Sequence, residues 1–129
     1  MLKHFPAGLL LTCGMLAASS SAIGQQKLDI VQIMGQFIQA KHAAGKCLPP
    51  DPDTLRRFAS NFRIVTIRAT EEMRKRNPSA SEQQIAEAFQ KGADAVGKQI
   101  DGVVSSSGCA DPRIQDLLKR FEIQANLKF

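Results

Sequence analysis

From residue 27 onward, apolar side chains recur along the chain at three- and four-residue steps, the spacing of one face of an α-helix. Leu28, Val31, Met34, Phe37, Ile38 and Lys41 trace the first such face and predict a helix over 27–44, with Gly45 as its left-handed stop. A turn, Cys47-Leu48-Pro49-Pro50, leads to Asp51-Pro52, an N-cap aspartate followed by proline at the first helical position. The stripe Leu55, Phe58, Ala59, Phe62, Val65, Ala69 and Met73 then predicts a second helix over 52–76, ended by Asn77-Pro78. The β-branched run Ile64-Val65-Thr66-Ile67 lies inside that stripe and is read as helix.

Two overlapping capping boxes, Ser79 with Glu82 and Ser81 with Gln84, open a third helix. Ile85, Phe89, Val96, Ile100 and Val103 form its apolar face, and Gly92, Gly97 and Gly102 interrupt it. A glycine inside a helix costs about 1 kcal/mol relative to alanine, so each needs a reason. Close packing is expected at Gly92, beside Ala88, Ala93 and Ala95, and fraying near Gly102, before the stop at Ser105-Ser106-Ser107-Gly108. Asp111-Pro112 repeats the earlier start signal. Ile114, Leu117, Leu118 and Phe121 give a fourth helix, with a tail expected to fray after Gln124. No segment alternates with the two-residue period of a half-buried strand. The expected fold is all-α, a small four-helix domain over 25–129 with short loops.

The first 24 residues carry a different pattern. A basic start (Lys3, His4), an apolar run over 7–18 and small residues at Ser19–Ala22 make the layout of a secretory signal peptide. The run is shorter than the roughly 20 residues a membrane-spanning helix needs, which disfavours an uncleaved anchor. Cleavage after Ala22 or after Gly24 fits the small-residue rule, the second placing the mature start at Gln25. Lipidation at Cys13 is disfavoured because Thr12, before it, is not the small residue a lipobox uses. The protein is therefore expected in the periplasm.

This changes the cysteine count. Three cysteines are an awkward number for an exported chain, but removal of Cys13 leaves Cys47 and Cys109, an expected disulfide in an oxidising compartment. The chain-entropy model assigns such a long loop roughly 4 kcal/mol of stabilisation. Zinc held by the two thiolates and His42 lacks any supporting spacing. Both cysteines sit just upstream of an Asp-Pro helix start, so a bridge would bring the N-termini of the second and fourth helices together. Those ends attract anions. Asp51 and Asp111, however, satisfy the same N–H groups and repel a second anion, which favours a plain staple.

With 129 residues, 43% hydrophobic and 22% charged, the chain has ordinary globular composition and room for one domain. Its net charge of +5 is uneven: Arg56, Arg57, Arg63, Arg68, Arg74, Lys75 and Arg76, against Glu71 and Glu72, concentrate on the second helix. Such a face is either solvated or a candidate binding surface for an acidic protein or, weakly, for anionic lipid headgroups. Nucleic acid is disfavoured by export and by the lack of Trp and Tyr for base stacking. No catalytic residue, cofactor or metal site is assigned. His42 is the only histidine after the leader and has no carboxylate near it in sequence, and no GxSxG, HExxH or P-loop motif occurs.

Two fragments carry a family resemblance. Cys47-Leu48-Pro49-Pro50, followed by an apolar-periodic helix, is similar to a turn in one branch of the periplasmic immunity proteins against type VI secretion amidase effectors. Cys109-Ala110-Asp111, followed by Leu117-Leu118-Lys119-Arg120-Phe121, is similar to the C-terminal helix of another branch. The resemblance implies a non-enzymatic periplasmic protein, a homodimer, whose surface plugs the cleft of a cell-wall hydrolase. The architecture also resembles the HdeA acid-stress chaperones, small all-α proteins with one disulfide, though this domain is poorer in carboxylates than in Arg and Lys.

Overall fold

A computed structural model describes residues 29–49 and 51–129. The candidate leader, with Cys13 and both cleavage positions, lies outside the described residues. Four helices follow one another: α1 (Ile30–Cys47), α2 (Pro52–Arg76), α3 (Glu82–Ser107) and α4 (Pro112–Ala125). The all-α, four-helix expectation holds, and no strand occurs among the described residues. No helix among them is long and apolar enough to cross a membrane.

The helix starts follow from capping chemistry. The Asp51 carboxylate accepts from the Asp53 and Thr54 N–H groups, and the Asp111 carboxylate accepts from the Arg113 N–H. Each satisfies donors that the first turn of a helix leaves unpaired. At α3 the capping box is the one between Ser81 and Gln84. The Ser79–Glu82 alternative is not used, because Glu82 instead pairs with Arg74 across the α2–α3 turn.

α1 differs from expectation at both ends. Asp29 forms a capping box with Gln32, so the helix starts three residues later than the apolar pattern suggests. It also runs through Gly45 to Cys47, and Gly45 is exposed and helical instead of ending the helix. The α3 helix likewise continues past Gly102 without fraying, and stops where Gly108 takes a φ of 77°.

Consecutive helices run antiparallel. Arg76 at the end of α2 reaches Asp29 at the start of α1, and Arg74 of α2 pairs with Glu82 at the start of α3. At the core, Phe37 of α1, Phe58 and Phe62 of α2 and Phe121 of α4 stack with ring centroids 4.1–6.1 Å apart. Ala40, Ala43 and Ala44 bury completely or nearly so, which lets neighbouring backbones approach α1 closely. α3 contributes few fully buried side chains, chiefly Ile85 and Ile100. The predicted α2 stripe is correct at Phe58, Val65 and Ala69, but Leu55 is 49% exposed and Ala59 also faces solvent.

Asn61 is buried in their place. Its amide donates to the carbonyls of Gln124 (2.8 Å) and Leu127 (2.9 Å), acceptors that the end of α4 leaves without a helical partner. The tail therefore does not simply fray after Gln124. It is tied to α2, and Phe129 lies under the Arg68 guanidinium, 5.4 Å from ring centroid to charge.

Cys47 and Cys109 are bridged, with their Cα atoms 5.6 Å apart and a sequence separation of 62. The bridge joins the end of α1 to the start of α4, and α2 begins beside it, as the paired Asp-Pro starts suggested. A disulfide of this kind fits an oxidising compartment. Cys47→Ser is expected to lower unfolding free energy by about 2–5 kcal/mol. Urea melts of the wild type with and without reductant check this, and superimposable curves would show the bridge to be thermodynamically idle.

Candidate functional site

An open groove of about 920 Å³ lies between α1, α2 and α3. α1 supplies Met34, Ile38, Lys41, His42 and Lys46; α2 supplies Phe62, Thr66 and Thr70; α3 supplies a run from Ala86 to Asp101. The groove exists because the aromatic stack pulls α1, α2 and α4 together and includes no ring from α3. Phe89, the aromatic residue of α3, stays half-buried on the groove wall.

A polar strut spans the end of the groove nearest the disulfide. His42 Nε2 lies 2.8 Å from Asp101 Oδ1, and Lys46 Nζ lies 3.5 Å from the same oxygen. The His42 ring rests against Gly97, where an added Cβ would stand 2.9 Å from Cε1 and 3.2 Å from Nδ1. Gly97 is thus the glycine required by close packing. Gly92, expected in that role, is exposed with open space around it. Sequence separation hid the His42–Asp101 pair: the partners are 59 positions apart and parallel packing of α1 and α3 brings them together.

This cluster links α1 to α3. Among the described residues His42 hydrogen-bonds to Asp101 alone, and its other ring edge faces the α3 backbone. The Thr66 and Thr70 hydroxyls donate to the Phe62 and Thr66 carbonyls of their own helix at 2.8 Å, so neither is paired to an imidazole base. No group of three or more His, Cys, Asp or Glu side chains among the described residues could hold a metal ion.

The seven cations singled out on α2 do not act alike. Arg56 pairs with Asp53, Arg74 with Glu82, and Arg76 with Glu72 and Asp29. Arg57 reaches only the Thr54 hydroxyl, and Arg68 covers Phe129. Among the described residues Arg63 and Lys75 have no ion-pair or hydrogen-bond partner. Ile67, 50% exposed, sits between Arg63 and Arg68 on the outer surface of α2. Periodicity alone had placed Ile67 in a helical segment without assigning it a face. A second, shallower hollow of about 500 Å³ between α1 and α4 is lined by Ile33, Ile123, Leu127 and the buried Gln124, whose Oε1 has no partner among the described residues.

Four aspartates hold their carboxyls below the usual carboxylate range. For Asp101 the cause is first the His42 hydrogen bond and then the Lys46 charge. For Asp51 it is the Thr54 hydroxyl, for Asp29 the Gln32 N–H, and for Asp111 the Arg113 guanidinium. Comparison with family models, curated proteins and solved structures finds no match. The site is therefore read from its own geometry.

Gly97→Ala is expected to displace the His42 ring from Asp101 and cost about 1–3 kcal/mol, whereas Gly92→Ala gains up to about 1 kcal/mol through helix propensity. In a His42→Ala background the Gly97→Ala penalty should vanish, which a double-mutant cycle of urea melts checks. The lowered aspartate pKa values set the sign of the acid response. Their stabilisation is complete above the ordinary carboxylate range, near pH 4, and is lost as pH falls through the lower folded-state values. Thermal melts from pH 7 to pH 2 should show this decline, and Asp101→Asn should make it shallower.

Proposed function

We propose that this protein is an exported, non-enzymatic binding protein that docks an acidic protein surface on the outer face of α2. One observation carries the reading. Ile67 is half-exposed on α2, whose Arg68 covers Phe129, and among the described residues Arg63 and Lys75 lack a neutralising carboxylate. An apolar centre ringed by arginine and an aromatic ring is the composition of an interface hot spot.

The periplasm is the proposed compartment, supported by the leader pattern of residues 1–24 and by the bridge between Cys47 and Cys109. Within that compartment the specific reading is an immunity protein that blocks a cell-wall hydrolase, supported by the resemblance of the two cysteine-proline and cysteine-aspartate fragments.

The test is affinity capture from periplasmic extract at low and high salt, with wild type and with Arg63→Glu and Ile67→Asp. The wild type should retain one hydrolase with an acidic surface, and high salt should weaken retention. Either substitution should reduce it at least tenfold, because each strikes the centre of the patch. Retention unchanged by both substitutions would rule out this face. Loss of the protein to anionic vesicles, with no protein captured, would reassign the patch to lipid headgroups.

A further inference from the structure

The groove between α1, α2 and α3 lies apart from the Arg63–Ile67 patch, and its lining is graded along its length. α1 and α3 run parallel, since His42 meets Gly97 and Asp101 while Cys47 meets Cys109. Equivalent ends of their groove-facing stretches therefore coincide. One end is mainly apolar, with Met34, Ile38, Phe89 and Ala93, and with Thr70 and Gln90 as its polar lining. The other end carries Lys41, His42, Lys46, Lys98 and Asp101. From Met34 to Lys46 the groove follows α1 for roughly 18 Å at the helical rise of 1.5 Å per residue.

The charges at the polar end are unequal. Asp101 is held by His42 and Lys46, and Asp94, one turn nearer the apolar end, accepts from Gln90 at 3.0 Å. Lys41 lies over the Phe62 ring, 5.1 Å from its centroid, so its charge sits at the edge of the apolar floor. Among the described residues Lys98 has no partner. The three lysines of the lining exceed its two aspartates by one. An elongated apolar trough that ends in one surplus cation matches a ligand with a long apolar tail and a monoanionic head. The volume of about 920 Å³ is in the range of sites for small organic ligands.

We propose that this groove binds a long-chain carboxylate, its tail toward Met34 and Phe89 and its head between Lys41 and Lys98. A phosphate monoester head, with a second negative charge, would meet the Asp94 and Asp101 carboxylates without a matching cation. The site is independent of the docking face on α2, so either can fail without the other.

Calorimetric titration of the bridged protein with myristate, below its micelle concentration, tests this. Saturable binding with a stoichiometry of one is expected. Shortening the tail should weaken it by up to about fourfold per methylene, the cost of leaving that group in water. Myristyl alcohol should bind at least tenfold more weakly and tetradecyltrimethylammonium not at all. Ala93→Trp, which fills the trough, should abolish binding, and Lys98→Glu, at an exposed position, should weaken it at least tenfold with the circular dichroism spectrum unchanged. Absence of saturable myristate binding would overturn the proposal. So would equal affinity for the ammonium amphiphile, tighter binding of tetradecyl phosphate, or indifference to Lys98→Glu.

Discussion

The stack of Phe37, Phe58, Phe62 and Phe121 is the interaction on which the rest of this structure depends. It joins α1, α2 and α4, with the closest pair, Phe58 and Phe121, 4.1 Å apart at their centroids. Buried aromatic rings contribute large apolar area together with preferred relative orientations, so the stack sets spacing as well as stability. Around it α1 can come close to its neighbours because Ala40, Ala43 and Ala44 place no bulk in the way. The disulfide and the Asn61 amide then act at opposite points of α4: the bridge holds its start to α1, and the amide holds its last carbonyls to α2.

α3 is outside that stack, and its attachment is of a different kind. Ile85 and Ile100 bury, Gly97 admits the His42 ring, and Asp101 takes the hydrogen bond from that ring. α3 thus packs closely on α1 at Gly97 and contributes no ring to the stack, and the groove lies beside it between α1 and α2. The strut closes the groove at one end and draws Lys46 to it, while Phe89 and Ala86 leave the other end mainly apolar. The polarity gradient of the groove is thus a consequence of where α3 is fastened.

Much of this was legible in the residues. Asp51-Pro52 and Asp111-Pro112 are local signals, each completed within one helical turn, and both helices start where those signals stand. The bounds of α2 were readable for the same reason. Gly45 and Gly102 misled because glycine weakens a helix without ending it when the flanking turns are packed, and both lie inside continuous helices. Ala59 and Leu55 continued a helical stripe in the sequence, but the stripe is wider than the surface that α1 and α4 cover. Asn61 was invisible as a core residue because its partners are backbone carbonyls more than 60 residues away.

The sequence by itself determined the helices, the cysteine pair and the concentration of arginine on α2, because each is written in residue type and short-range spacing. Only the tertiary structure decided which glycine is needed for packing, which carboxylate meets His42, and which arginines keep an unneutralised charge. The reason is physical. Caps and amphipathic stripes are satisfied within a turn or two of the chain, whereas a strut, a groove or an exposed patch depends on how far apart whole helices come to rest. That distance is set here in large part by four phenylalanines stacked on three helices.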